Sequence, residues 1–238
     1  MDEINKALNL LEKDKINNIS IINFIKNNKV LSTDFIGSSV LIRGVSDRSW
    51  VYISCKDKDE VLAIKSKLNK DDISFSSIEE WMFPLLIEGK KIVWDLLTEQ
   101  YYLPNDVPLP DPKYKTIPLT ENDAQIVYSN SEYKDYISLE YVKERIQKGV
   151  SSGLHINNEL VSWAMTQDDG AIGFLHTLDN FRRKGYGECV TLSIIEKLRN
   201  ASEIPFAYAE ISNKRSINLM TKFGFVFIKK IHWFQIKW

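Results

Sequence analysis

The chain has 238 residues, 44% of them hydrophobic and 26% charged, the mix of a globular protein rather than a disordered or fibrous one. Its 31 Lys and Arg are balanced by 32 Asp and Glu, for a net charge of −1. That balance speaks against nucleic acid and anionic membranes as partners, and no apolar run approaches the roughly 18–20 residues of a membrane helix.

The first segment predicts an amphipathic helix, with Ala7, Leu8, Leu10, Leu11 and then Ile16 near helical spacing. It lacks the apolar stretch of a signal peptide. Residues 35–43 and 50–55 are rich in β-branched and aromatic side chains and flank a Gly-Val-Ser-Asp turn, which predicts a hairpin. Val61, Leu62, Ile64 and Leu68 predict a helix. Residues 76–80 read as a capping box leading into a short helix. Residues 92–94 and 101–102 predict late strands.

Four of the seven prolines fall between Leu103 and Pro112. Proline fixes its own φ and extends its predecessor, so a semi-rigid linker over 104–112 is expected between domains at 1–103 and 113–238. Beyond it, residues 115–119 predict a strand and Thr120 caps a helix. Residues 139–148 predict a second helix ending at Gly149. Strands at 154–156 and 160–166 pair around Asn157-Asn158. Asp168-Asp169-Gly170 turns into a strand at 171–178. A long helix at 185–200, a strand at 206–211 and a helix at 214–223 follow. A hairpin over 225–236 completes the set.

Cys55 and Cys189 stand far apart; a single disulfide is left open, but nothing suggests a framework, and they read as buried thiols in a reducing cytosol, so a cytoplasmic location is expected. The three histidines, His155, His176 and His232, sit at no metal-ligand spacing, and no metal is expected.

The sharpest motif is Arg182-Arg183-Lys184-Gly185-Tyr186-Gly187, between a predicted strand and a long helix. Glycines there let the backbone approach a ligand. The free N–H groups and dipole of the helix favour an anion, and three cationic side chains stand beside it. The spacing is neither a Walker loop nor a dinucleotide fingerprint. Asn213, Ser216, Leu219 and Gly224-Phe225 follow in order.

With these residues the C-terminal half resembles the Gcn5-related N-acetyltransferase (GNAT) superfamily. Residues 182–187 match its pyrophosphate motif, and Asn213 to Phe225 match its later segment. Ser162-Trp163, residues 176–183, Ile204-Pro205-Phe206 and residues 232–235 are closest to the glycine N-acyltransferase-like and FR47-like branch. The N-terminal half looks like a degenerate companion, a smaller α/β half-GNAT domain without the loop.

The resemblance implies an α/β (α+β) fold with a mixed, splayed central sheet of about seven strands. It implies that acetyl-CoA or another acyl-CoA binds at Leu175, His176, Thr177, Arg182, Arg183, Lys184, Gly185, Tyr186, Gly187, Glu188, Asn213 and Ser216. An N–H near Thr177 or Leu178 would face the thioester oxygen. The implied reaction is direct transfer of the acyl group to the amine of a small molecule, such as an amino acid. Relatives carry a glutamate where this chain has Ala171 and a tyrosine where it has Met220. The remaining base candidates are His176, Glu210, and Asp168 and Asp169, which also make an ordinary Asp-Gly turn, with Tyr208 or water as the acid. A non-catalytic acyl-CoA-binding module and an aminoacyl transferase stand as alternatives. A second copy of the chain is a further candidate partner.

Overall fold

The computed structural model describes residues 2–238. In chain order the elements are α1 (Glu3–Leu11), α2 (Ile19–Asn27), β1 (Lys29–Ile36), β2 (Ser39–Val45), β3 (Ser49–Ser54), α3 (Lys58–Lys67), β4 (Ser74–Glu79), α4 (Phe83–Ile87) and β5 (Lys91–Tyr102). Then come α5 (Ala124–Ser129), α6 (Leu139–Lys148), β6 (Ser151–Ile156), β7 (Glu159–Thr166), β8 (Ile172–Thr177), α7 (Tyr186–Asn200), β9 (Phe206–Glu210), α8 (Lys214–Lys222) and β10 (Val226–Lys237).

These elements form two compact units. The first comprises Met1–Gln100, Ala209–Lys214 and Phe227–Trp238, and the second Tyr101–Tyr208 and Arg215–Val226. In the first, the strand order is β1-β2-β3-β4-β10-β5. Antiparallel pairs β1–β2, β2–β3 and β4–β10 surround one parallel pair, β3–β4, in register at Val51↔Phe75. One apolar cluster joins α1 and α2 to Val40, Ile42, Trp50 and Tyr52. A second joins α3 and α4 to Leu41, Val51, Ile53, Phe75 and Phe234. Alternate residues of β2 and β3 thus feed opposite faces, as the period of a strand requires.

Several first-unit expectations change. Residues 35–43 are not one strand. Gly37, at φ +56°, turns the chain between β1 and β2. Helix α2 has no sequence signal because six of its nine residues are buried, Ser20 among them, which blurs any apolar stripe. Residues 76–80 are not a helix start. Residues 76–79 complete β4, whose serines are buried and whose Ser77 Oγ lies 2.8 Å from Ser20 Oγ. Residues 92–94 and 101–102 lie on one 12-residue strand, β5. The expected hairpin at 225–236 is one strand, β10, paired with β4 from Ile231↔Glu79 to Gln235↔Ser74.

The second unit has the order β9-β8-β7-β6, antiparallel from β6 to β8 and parallel at β8–β9. The mixed sheet expected from the resemblance is present. It is not a seven-stranded sheet within the C-terminal half, because β10 pairs in the first unit. Residues 115–119 make only an isolated bridge, Ile117↔Gly153, beside Pro118. Helices α5 and α6 bury Leu119, Val127, Val142 and Ile146 against Trp163 and Met165. Thr120 and Asp123 do form a capping box, ahead of α5. The proline segment is held at α7, where the Arg199 guanidinium donates to the carbonyls of Pro104 (2.7 Å) and Val107 (3.0 Å). Gly224, at φ +83°, ends α8 in a Schellman turn, with Phe225 N–H donating to Met220 O at 3.0 Å. Among the described residues no helix is long and apolar enough to cross a membrane, and no group of His, Cys, Asp and Glu could hold a metal ion.

Candidate functional site

The site grows from an irregularity in β8. Trp163 pairs with His176 and Met165 with Gly173, so β8 has one more residue than β7 over the same span. Phe174 absorbs it at φ +53°, a left-handed conformation that a non-glycine residue adopts at a cost. Such a bulge re-aims the backbone of its strand. On its other side β8 pairs with β9 at Ile172↔Ala207, before the bulge. The two strands part beyond that point.

The alternation of an antiparallel ladder then fixes which groups face the gap. Leu178 N–H donates to Val161 O at 2.9 Å. The hydrogen-bonded pairs are therefore 161–178 and 163–176, and the backbone of Thr177 points away from β7. Leu178 N–H is consumed and unavailable to a thioester oxygen. Thr177 remains, its carbonyl already accepting from Arg182 Nε at 3.1 Å.

Side chains of adjacent residues take opposite faces. The His176 ring stacks on Trp163 (centroids 4.9 Å, 25°), which belongs to the α5–α6 cluster. Thr177 Oγ1 faces α7, 3.4 Å from where a Cβ on Gly187 would sit, and 2.8 Å from Ser162 Oγ. Burial pushes the pKa of His176 below its ordinary value, with the nearby Arg182 cation acting the same way. The imidazole is neutral at neutral pH and able to take a proton.

The loop after β8 leaves an open helix terminus. Arg183 has φ +62° and Gly185 φ +81°. Gly185 takes the N-cap position of α7 and no side chain caps the helix. A Cβ on Gly185 would meet nothing within 4 Å. The first backbone bond into α7 runs from Cys189 N–H to Gly185 O, at 3.1 Å. The N–H groups of residues 186–188 thus begin a 15-residue dipole with no side-chain cap bond from the N-cap position, and Glu188 lies in that first turn. Arg183 and Lys184 are exposed, and Lys184 Nζ lies 5.2 Å from the Phe181 ring centre. Arg182 is a brace: besides Thr177 O, it pairs with Asp179 at 2.8 Å. Glu188 pairs with Lys222 of α8 at 2.5 Å, and buried Tyr186 meets Tyr114 edge-on at 5.0 Å.

The first unit contains a crossover of the same type, β3–α3–β4, with the opposite terminus. The carboxylate of Asp57 accepts from the N–H groups of Asp59 (2.8 Å) and Glu60 (3.0 Å). Asp59 and Glu60 add negative charge to the first turn. This helix start repels an anion.

Comparison with known proteins bears on the fold. A family model described as FR47-like protein matches residues 149–234. No curated protein matches. Among solved structures, a Drosophila protein is 15% identical with a TM-score of 0.81, covering 98% of this chain and 95% of its own. A GCN5-related N-acetyltransferase from Kribbella flavida is 13% identical with a TM-score of 0.58, covering 93% and 94%. A tandem GNAT protein from the clavulanic acid biosynthesis pathway is 12% identical with a TM-score of 0.55, covering 98% and 94%. The chain has the GNAT fold.

Within this GNAT fold, the second unit brings together Leu175, His176, Thr177 and residues 182–188, with Ser216 half-buried on α8. Glu210 and Asn213 lie in the first unit, where Asn213 N–H donates to Glu210 O at 2.9 Å and Ser212 Oγ to Glu210 Oε2 at 3.5 Å. Ala171 and Met220 are both buried. Sequence reasoning missed the bulge at Phe174, which has no residue signature. It also gave no partner to Tyr208, whose hydroxyl donates to Asp169 Oδ2 at 2.5 Å.

Proposed function

We propose that the chain is an acyl-CoA-dependent N-acyltransferase, acting on acetyl-CoA and the amine of a small acceptor such as an amino acid. One observation carries the reading. The uncapped, cationic start of α7 faces the freed edge of a bulged β8. The helix start suits a pyrophosphate, and the edge suits an extended pantetheine arm. Residues 183–188 would hold the diphosphate, and Thr177 would offer its backbone to the arm. Acyl-CoA supplies an activated thioester when bound. Neutral His176, on the α5–α6 face, would take the proton that an acceptor ammonium brings. The transfer is direct, since Cys189 is buried in α7.

The first unit is read as a companion half without a CoA site, supported by the Asp57 carboxylate at the start of α3. Two free, buried thiols suit a reducing cytosol. Buried Ala171 and Met220 favour a second reading, acyl-CoA binding without turnover.

Calorimetry with acetyl-CoA, paired with thiol release over a panel of amino acids and polyamines, tests both. Binding with turnover is expected. Binding alone selects the second reading, and failure of the folded protein to bind overturns both. Gly187→Trp places an indole between α7 and Thr177, and should weaken acetyl-CoA binding at least about tenfold (about 1.4 kcal/mol). Unchanged affinity would mean that the loop is only a turn.

A further inference from the structure

Two carboxylates precede β8, and both are buried: Asp168 is 3% exposed and Asp169 is 0% exposed. An Asp-Gly turn normally faces water, where its carboxylates are well solvated. Here each meets a phenol. Tyr141 of α6 donates its hydroxyl to Asp168 Oδ1 at 3.1 Å, and Tyr208 of β9 donates to Asp169 Oδ2 at 2.5 Å. Asp169 Oδ1 accepts from Ala171 N–H at 3.0 Å, so its carboxylate is anchored from both oxygens. Tyr141 also packs against Phe174, the bulge residue, with ring centres 6.2 Å apart.

The location matters as much as the chemistry. The parallel pairing of β8 and β9 is at Ile172↔Ala207, and Tyr208 is the next residue along β9. Tyr208 thus follows directly on the last pairing before the strands part, and its side chain reaches Asp169 in the turn just ahead of β8. Tyr208 is half-buried, whereas Asp169 is sealed from solvent. The phenol hydrogen points at the carboxylate, which turns the remaining lone-pair density of Oη away from Asp169. An oxygen so oriented accepts a proton as it passes its own inward.

We propose that Tyr208 and Asp169 form the proton relay for the transfer step, with Tyr208 the catalytic residue and Asp169 its positioning residue and proton store. This rests on the acyltransferase reading. As the acceptor nitrogen forms its bond to the thioester carbon, it loses a proton to Tyr208 Oη, and the Tyr208 hydroxyl proton moves to Asp169 Oδ2. The C–S bond breaks with its electron pair on sulfur. The same path run backwards, Asp169 to Tyr208 to sulfur, gives the thiol and restores the relay. His176 handles a different proton, the one an acceptor ammonium gives up before attack. The relay answers the buried Ala171 and Met220: neither carries an exchangeable proton, and Tyr208–Asp169 supplies both directions of transfer.

The experiment compares Tyr208→Phe and Asp169→Asn with the unaltered full chain. Acetyl-CoA binding is followed by calorimetry and turnover by thiol release across about pH 6 to 9. Tyr208→Phe should bind acetyl-CoA with unchanged affinity and lose turnover by about a hundredfold or more. Its residual rate should climb more steeply with pH than that of the unaltered protein, because hydroxide then replaces the relay. Asp169→Asn should show the same pH signature, which a purely structural loss would not produce. Retained turnover with an unchanged pH profile in Tyr208→Phe overturns the relay and leaves the transferase reading standing. Absence of turnover by the unaltered protein overturns the transferase reading and the relay with it.

Discussion

His176 shows how one side chain can tie chemistry to stability. Burial beside Trp163 holds its pKa below the ordinary value near 6.5, and Arg182 reinforces the shift. The unfolded chain therefore takes up this proton at a higher pH than the folded chain does. The stabilising contribution is complete above the unfolded pKa and is lost as pH falls towards the folded value. Thermal melts between about pH 7 and pH 5 should show a declining midpoint, and His176→Asn should make the decline shallower. The proton-accepting form of His176 also persists below about pH 6.5, so the acid limb of kcat/KM should lie below that value. An acid limb above it would remove His176 from the reaction.

Two helices of one crossover type begin in opposite ways, and the difference is a few residues. Helix α7 starts at a left-handed glycine with open space around it, and α3 starts under the carboxylate of Asp57. Asp57→Ala should cost about 1 kcal/mol in a urea titration and leave acetyl-CoA affinity unchanged. A loss of affinity would place the ligand at α3. The same contrast explains what was legible beforehand. Residues 182–187 announced themselves because glycine and cationic side chains carry a loop's conformation and charge in their identities. Helix α6 was readable because Gly149 marks its end. Helix α2 and strand β4 were not, because both are buried almost throughout and carry no one-sided pattern. The bulge in β8 was invisible for a deeper reason. Its left-handed residue is a phenylalanine, and only pairing with β7 on one side and parting from β9 on the other impose that conformation. Tyr208 and Asp169 stand 39 positions apart, and only the parallel register of β8 and β9 makes them partners.

At the scale of the molecule, two units hold comparable crossovers and one of them has the electrostatics for a diphosphate. Acetyl-CoA titrations should therefore saturate at one ligand per chain, and a second equivalent site would contradict the assignment of the first unit as a companion half. The near-neutral net charge fits this economy. Arg183 and Lys184 are a local exception on a balanced surface, suited to a single anion rather than a polymer of them.

Strand β10 sets a timetable for synthesis. Met1–Gln100 leaves the ribosome early, yet its unit lacks the strand that lies between β4 and β5 until residues 226–237 follow. Through that interval β4 presents an unpaired edge, and Phe75 lacks the Phe234 ring that stacks on it at 4.7 Å. The unit made first is closed last. A nascent chain stalled in the proline segment would carry an open β-edge beside exposed aromatic surface, the kind of species that chaperones retain and that self-associates when they do not.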